Sequence, residues 1–308
     1  MILRVFIRGV LFTVASAGLA LAGFAFASPI GYSVRSDVDR KLYRIDMATG
    51  VATALGATGF SKIEALAINA SGEIYGVNPA TAQLVKCSGV TGVCTAVGTL
   101  VGLPQVQSNA GLAFASTGVL YLAVNAAIFR VDPATGATAS LGGTGPALSG
   151  LAGVAPSSDC ASGLYGMGGN TDHGKFYCIN VINGSAALLG TLGISPLDVG
   201  LDGDPVTGLV WGVSNDDPSQ IFSVNTTTLA VGNLNTVTLS GKAIGGFESL
   251  AVARTGTAAV GDVVPAAVDP LTVPTLSMAW LAALTLLLAI SAALLLRARN
   301  FAPVASRK

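Results

Sequence analysis

The sequence predicts an all-β fold: a β-propeller of five four-stranded blades, with the N-terminal strands closing the last blade, plus a C-terminal transmembrane helix. Three observations predict the propeller. A strand-like segment recurs with a period in the forties, a short Gly-Leu-Ala-like segment precedes each recurrence, and the last repeat lacks the strands that the N-terminus has in excess. Strand repeats of this length stack around an axis, because one blade cannot bury its own two faces.

In chain order the first element is a leader. Arg4 and Arg8 precede an apolar stretch from Gly9 to Phe24, and Ala25-Phe26-Ala27 offers a small-residue cleavage site before Ser28. That order is the one of a secretory signal peptide, here residues 1–27. The expected exported domain is 28–254, delivered by the secretion machinery.

Within it, Lys41-Leu-Tyr-Arg-Ile-Asp46 is echoed by Gln83-Leu-Val-Lys-Cys-Ser88, Ala127-Ile-Phe-Arg-Val-Asp132, Lys175-Phe-Tyr-Cys-Ile-Asn180 and Gln220-Ile-Phe-Ser-Val-Asn225, at steps of 42, 44, 48 and 45 residues. The first full unit supplies four strands by alternation, from Ala65 to Asn69, Glu73 to Asn78, Leu84 to Ser88 and Cys94 to Gly98. Asp46-Met-Ala-Thr-Gly50 and Asp132-Pro-Ala-Thr-Gly136 read as tight turns, with Asp opening the turn and Gly taking positive φ. Those aspartates are hairpin residues before they are metal ligands.

The strand order resembles that of propellers of the NHL and gluconolactonase type. That resemblance implies that Glu64-Ala-Leu-Ala67, Ala110-Gly-Leu-Ala113, Ser149-Gly-Leu-Ala152, Val199-Gly-Leu-Asp202 and Glu248-Ser-Leu-Ala251 are the innermost strands. Only linker follows the fifth. Its missing partners are supplied from Gly31 to Arg35, Leu42 to Asp46 and Val51 to Gly56, which removes the open edges. A sixth blade has no room.

From Thr255 to Thr272 the spaced prolines Pro265 and Pro270, small residues and weak periodicity predict a linker or stalk. An apolar run of 18 residues, Ala279 to Leu296, nearly crosses a hydrocarbon core of about 30 Å. Arg297, Arg299, Arg307 and Lys308 follow and stay cytoplasmic by the positive-inside rule. Pro274-Thr275-Leu276-Ser277, the helix and the arginines, residues 273–308 in all, resemble the IPTL-CTERM signal, a relative of PEP-CTERM. Val273 stands where that family has Ile, and Trp280 falls one position late. The resemblance implies an exosortase-type processing enzyme of Gram-negative bacteria, cleavage near the motif, and an inner-membrane intermediate that reaches the cell surface or the medium. A plain membrane anchor needs only the apolar run and the arginines.

Leader and tail hide the charge balance. Between them lie ten basic and sixteen acidic residues, a net of −6. An acidic exported domain excludes nucleic acid as a partner and favours cations, sugars or basic partners. Four cysteines in such a domain predict disulfides. Cys87 and Cys94 face each other across the turn Ser88-Gly-Val-Thr-Gly92, which leaves Cys160 and Cys178 to pair. Zinc is the alternative, although no C-x-x-C occurs and His173 is the only histidine. His173 lies in a glycine-rich loop, the setting of a solvated side chain more than of a catalytic triad. No Gly-rich phosphate loop leads into a helix.

For propellers of the resembling type, ligands bind on the face where the inner strands start. This implies a site of Glu64, Asn109, Ser149, Asp198 and Glu248 around the central opening, with Asn78, Asn125, Asp172, His173, Asp216 and Asp217 further out. Glu64 and Glu248 fall on neighbouring blades and together could hold Ca²⁺ or flank a sugar. The plainer reading has Lys62 and Lys242 neutralising them at the rim. Two functions follow: a non-catalytic binding or structural module of unknown ligand, or a metal-dependent hydrolase or lactonase in the manner of the gluconolactonase propellers.

Overall fold

A computed structural model describes residues 28–103, 110–204 and 207–253. The expected leader 1–27, linker 255–272 and sorting signal 273–308 with its helix 279–296 lie outside the described residues, as does Asn109. Among the described residues no helix is long and apolar enough to cross a membrane.

Five sheets form, one per predicted blade. From the N-terminus come β1 (Ile30–Val34), β2 (Lys41–Asp46) and β3 (Val51–Ala57). The first blade is β4 (Ala65–Ile68), β5 (Ile74–Asn78), β6 (Gln83–Cys87) and β7 (Cys94–Thr99). The second is β8 (Ala110–Phe114), β9 (Leu120–Val124), β10 (Ala127–Val131) and β11 (Thr138–Gly143). The third is β12 (Leu148–Gly153), β13 (Leu164–Gly168), β14 (Lys175–Ile179) and β15 (Ala186–Thr191). The fourth is β16 (Val199–Gly203), β17 (Leu209–Ser214), β18 (Gln220–Asn225) and β19 (Val231–Thr236). A two-residue hairpin, β20 (Thr238–Leu239) and β21 (Lys242–Ala243), precedes the last strand, β22 (Ala251–Ala253).

The closing sheet runs β21-β20-β3-β2-β1-β22. On its inner edge β22 pairs antiparallel with β1, Ile30 opposite Ala253 and Tyr32 opposite Ala251. On its outer edge β20 runs parallel to β3, Thr238 opposite Val51. The C-terminal end of the domain therefore grips the N-terminal strands from both sides. Two expectations are corrected here. The fifth inner strand begins at Ala251, three residues later than expected, because Glu248 to Leu250 turn in from the loop, Glu248 N–H donating to Val34 O at 3.3 Å. Lys242 lies on β21, at the outer edge of the blade, and not at the rim of the opening.

The core has five parts, one at each interface between blades. Tyr75, Val77 and Leu84 of the first blade meet Leu112, Leu122 and Phe129 of the second; Tyr165, Met167 and Phe176 of the third meet Val210, Phe222 and Val224 of the fourth. The closing blade is split by strand alternation. Tyr32, Val34 and Leu42 pack on the first blade, while Tyr43, Ile45 and Met47 pack on Trp211 and Ile221 of the fourth. Middle strands such as Leu120–Val124 are thus buried on both faces and read as unbroken apolar runs. Outermost strands such as β3 are largely exposed.

Near the axis the inner strands come so close that side chains do not fit. A Cβ on Gly111 would lie 2.6 Å from Leu151 N, and one on Gly200 would lie 2.3 Å from the carbonyl carbon of Ser249. The Gly-Leu-Ala signature is the imprint of this approach. Both expected disulfides form. Cys87–Cys94 bridges directly paired residues of β6 and β7, and Cys160–Cys178 ties the loop before β13 to β14. Two disulfides fit a chain that folds in an oxidising compartment.

Candidate functional site

The starts of the inner strands meet around one mouth of the central channel, and a lysine stands among their carboxyls. Lys62 Nζ lies 2.6 Å from Glu64 Oε1, 3.1 Å from Asp37 Oδ2 and 3.9 Å from Glu248 Oε2. Glu64 and Glu248 are only 2% and 5% exposed, so their charges are poorly solvated. The contact with Glu64 is an ion pair without the direction of a good hydrogen bond, and Glu248 Oε2 accepts none among the described residues.

Local structure explains the gathering. The β1–β2 loop carries Asp37, and its neighbour Ser36 receives the Ile63 N–H at 3.1 Å and donates to Ile63 O at 2.7 Å. That pair of hydrogen bonds fixes the loop against the residues that lead into Glu64. On its other side Arg35 Nε donates to Gly245 O at 2.7 Å, and its guanidinium lies 5.8 Å from both the Tyr43 and Phe247 rings. This fixes the loop that leads into Glu248. One hairpin loop thus sets both glutamates.

The electrostatics follow from burial. Burial pushes Glu248 up to about 8, helped by the Glu64 charge and the hydrogen bond to Asp37. The hydrogen bond to Glu248 in turn holds Asp37 below its ordinary range. The two carboxyls thus move apart, Glu248 toward holding a proton and Asp37 toward giving one up. Burial also raises Glu64, to about 7, against the pull of Lys62. For Lys62 burial acts to lower the pKa, but Glu64, then Glu248 and Asp37, raise it overall. A step away, burial lifts Asp198 to about 6, opposed by the Val199 N–H at 2.8 Å and by the Ser149 hydroxyl.

Of the expected site, Glu64 and Glu248 come together, with Asp198 and Ser149 as a second pair beside them and coupled to Lys62 through charge. Asn109 lies outside the described residues. The expected outer ring is occupied with local structure. Asn78 Nδ2 donates to Thr81, Asp172 pairs with Lys175, and His173 Nδ1 lies 3.0 Å from Pro196 O. Sequence reasoning misses Asp37. It occupies the loop after a second strand, as Asn78 and Asn125 do, but that strand is N-terminal and counts there only as closure.

Chemically, the arrangement is a proton-sharing acid cluster around a fixed ammonium. Among the described residues no group of three or more His, Cys, Asp or Glu side chains is disposed to hold a metal ion. Between Glu64 and Glu248, Lys62 takes the place a cation would take.

The opposite mouth is formed by the ends of the same strands. There a cavity of about 280 Å³ is lined by Ile68, Asn69, Phe114, Ser116 and Val252, with Asp202 among them. Asp202 is 4% exposed; its Oδ1 accepts from Gly203 N–H and its Oδ2 from Val252 N–H, each at 2.8 Å, and the Ile68 backbone adds a third bond.

No protein-family model matches the chain, and no curated protein matches it. Among solved structures it is similar to a selenomethionine-substituted virginiamycin B lyase from Staphylococcus aureus, at 16% identity over 67% of this chain and 69% of that one, with a TM-score of 0.40. It is also similar to a chain of a nidogen/laminin complex, at 15% identity over 74% of this chain and 86% of that one, with a TM-score of 0.45. This chain is a five-bladed β-propeller.

Proposed function

We propose that the chain is an exported, cell-surface-sorted propeller acting as a non-catalytic binding module, and that it meets its ligand at the Lys62 mouth. The observation that carries this reading is the lysine itself. With its ammonium 2.6 Å from Glu64 and 3.1 Å from Asp37, the mouth is a fixed pattern of charge suited to recognition. Sorting is supported by the C-terminal motif, and export by the leader and the disulfides.

Two measurements test this. Mass spectrometry of the protein from its own host should find a C-terminus near Pro274; a chain ending at Lys308 overturns the sorting. Glycan and peptide arrays probed with the protein should give ligands whose signal falls in Glu248→Gln and Lys62→Met. Signals unchanged in both variants move the ligand elsewhere, and metal-dependent lactone hydrolysis by the wild type replaces the reading with the enzyme.

A further inference from the structure

At the position in the inner strands where four blades carry Ala67, Ala113, Ala152 and Ala251, the fourth blade carries Asp202. A carboxyl there is costly unless something recovers its lost hydration. Three backbone N–H groups, from Gly203, Val252 and Ile68, recover part of it. A carboxylate has about four lone-pair positions, so one is left, and this group lines the cavity. No lysine or arginine among the described residues forms an ion pair with Asp202, and the neighbouring charge that acts on it is that of another acid, Asp204.

The walls set the rest of the chemistry. Ile68, Phe114 and Val252 are apolar, while Asn69 and Ser116 edge the opening. At about 280 Å³ the space lies just under the range of about 300–1,000 Å³ usual for larger ligands. It admits something of side-chain size and no polymer.

We infer that the Asp202 mouth is a second binding site, separate from the Lys62 mouth, for a primary ammonium on a short aliphatic stem. Burial holds the Asp202 carboxyl well above its ordinary range, so the incoming ammonium supplies the counter-charge on which it releases its proton to solvent, and the stem lies along Ile68, Phe114 and Val252. A free alkylamine and a lysine side chain share this chemistry.

The test is thermal unfolding of the full chain with 1-aminopentane, with Nα-acetyl-lysine methylamide and with 1-pentanol. Both amines should raise Tm in a saturable way and the alcohol should not; a rise with the lysine derivative alone assigns the site to a protein partner. Asp202→Asn should weaken the apparent affinity more than about tenfold. Should that variant fail to fold, Ser116→Trp, at an exposed turn of the rim, blocks the cavity and leaves Asp202 in place. Lys62→Met should keep the amine response, which separates this site from the other mouth. An equal response to the alcohol, a response retained in Ser116→Trp, or no response to either amine in the wild type overturns the inference.

Discussion

Replacing Lys62 by Met keeps the stem and removes the ammonium from beside Glu64, Asp37 and Glu248. The cost depends on pH because the glutamates can answer by holding protons. At pH 5 Glu64 and Glu248, at about 7 and about 8, are already neutral. The variant then loses little more than one polar contact, about 1 kcal/mol. At pH 8.5 both are ionised in the wild type, and the variant must bury carboxylates without a counter-ion or keep protons against the solution. Removing one partner of a buried pair costs about 3–5 kcal/mol, and solvent reaching Lys62, 27% exposed, places this case at about 3. In a domain of about 150–250 residues each kcal/mol moves Tm by about 2–4 °C. A deficit of about 2–4 °C at pH 5 should open to about 6–12 °C at pH 8.5. The sign is set by the raised carboxyls: their stabilisation is whole below the ordinary 4.5 and is lost as pH climbs through about 7 and 8. Both proteins therefore weaken as pH rises, the variant more steeply. Circular dichroism melts at the two pH values measure this. A deficit equal at both, or larger at pH 5, refutes the placement of Lys62 as counter-ion.

Other consequences can be measured in the same way. Gly200→Ala pushes a methyl group into the backbone of Ser249 and should cost about 1–3 kcal/mol in denaturant melts, whereas Gly59→Ala, which meets no atom within 4 Å, should cost less than Gly200→Ala despite its positive φ. Loss of Cys160–Cys178, which spans 18 residues, should cost about 3 kcal/mol and loss of Cys87–Cys94, which spans 7, about 2; the reverse order in denaturant melts refutes the chain-entropy account. Excess calcium should leave Tm unchanged in the wild type, since Lys62 stands between the glutamates; a saturable rise abolished by Glu64→Gln restores the metal site.

The five blades were legible because each repeat must bury both faces against its neighbours, so Tyr-Arg-Ile-Asp and Gly-Leu-Ala recur at fixed radius. The four strands from Ala65 to Gly98 fell within a residue for that reason. The β20–β21 hairpin was not legible, because two-residue strands have no period. Lys242 was misplaced because a count along the chain puts it six residues before Glu248, and the hairpin spends those residues on returning from the outer edge. That Glu64 and Glu248 come together follows from the strand order of the resembling propellers, which puts both at the starts of inner strands. Asp37 and Asp202 were not legible: one reaches the axis from the far end of the sequence, and the other looks like one more member of a repeat until its three backbone donors are seen.

The grip of the domain's C-terminal end on β1, β2 and β3 also sets the order of assembly. Ser33 and Ser249 bond across 216 residues, a separation whose closure costs about 5 kcal/mol of chain entropy before any contact repays it. The strands synthesised first are therefore housed last. Until residue 253 is free to pair, they present two bare edges, and the four finished blades present a slot of matching shape. Two chains emerging side by side can fill each other's slots with the same hydrogen bonds that close one ring, which makes spacing between nascent chains a condition of obtaining monomers.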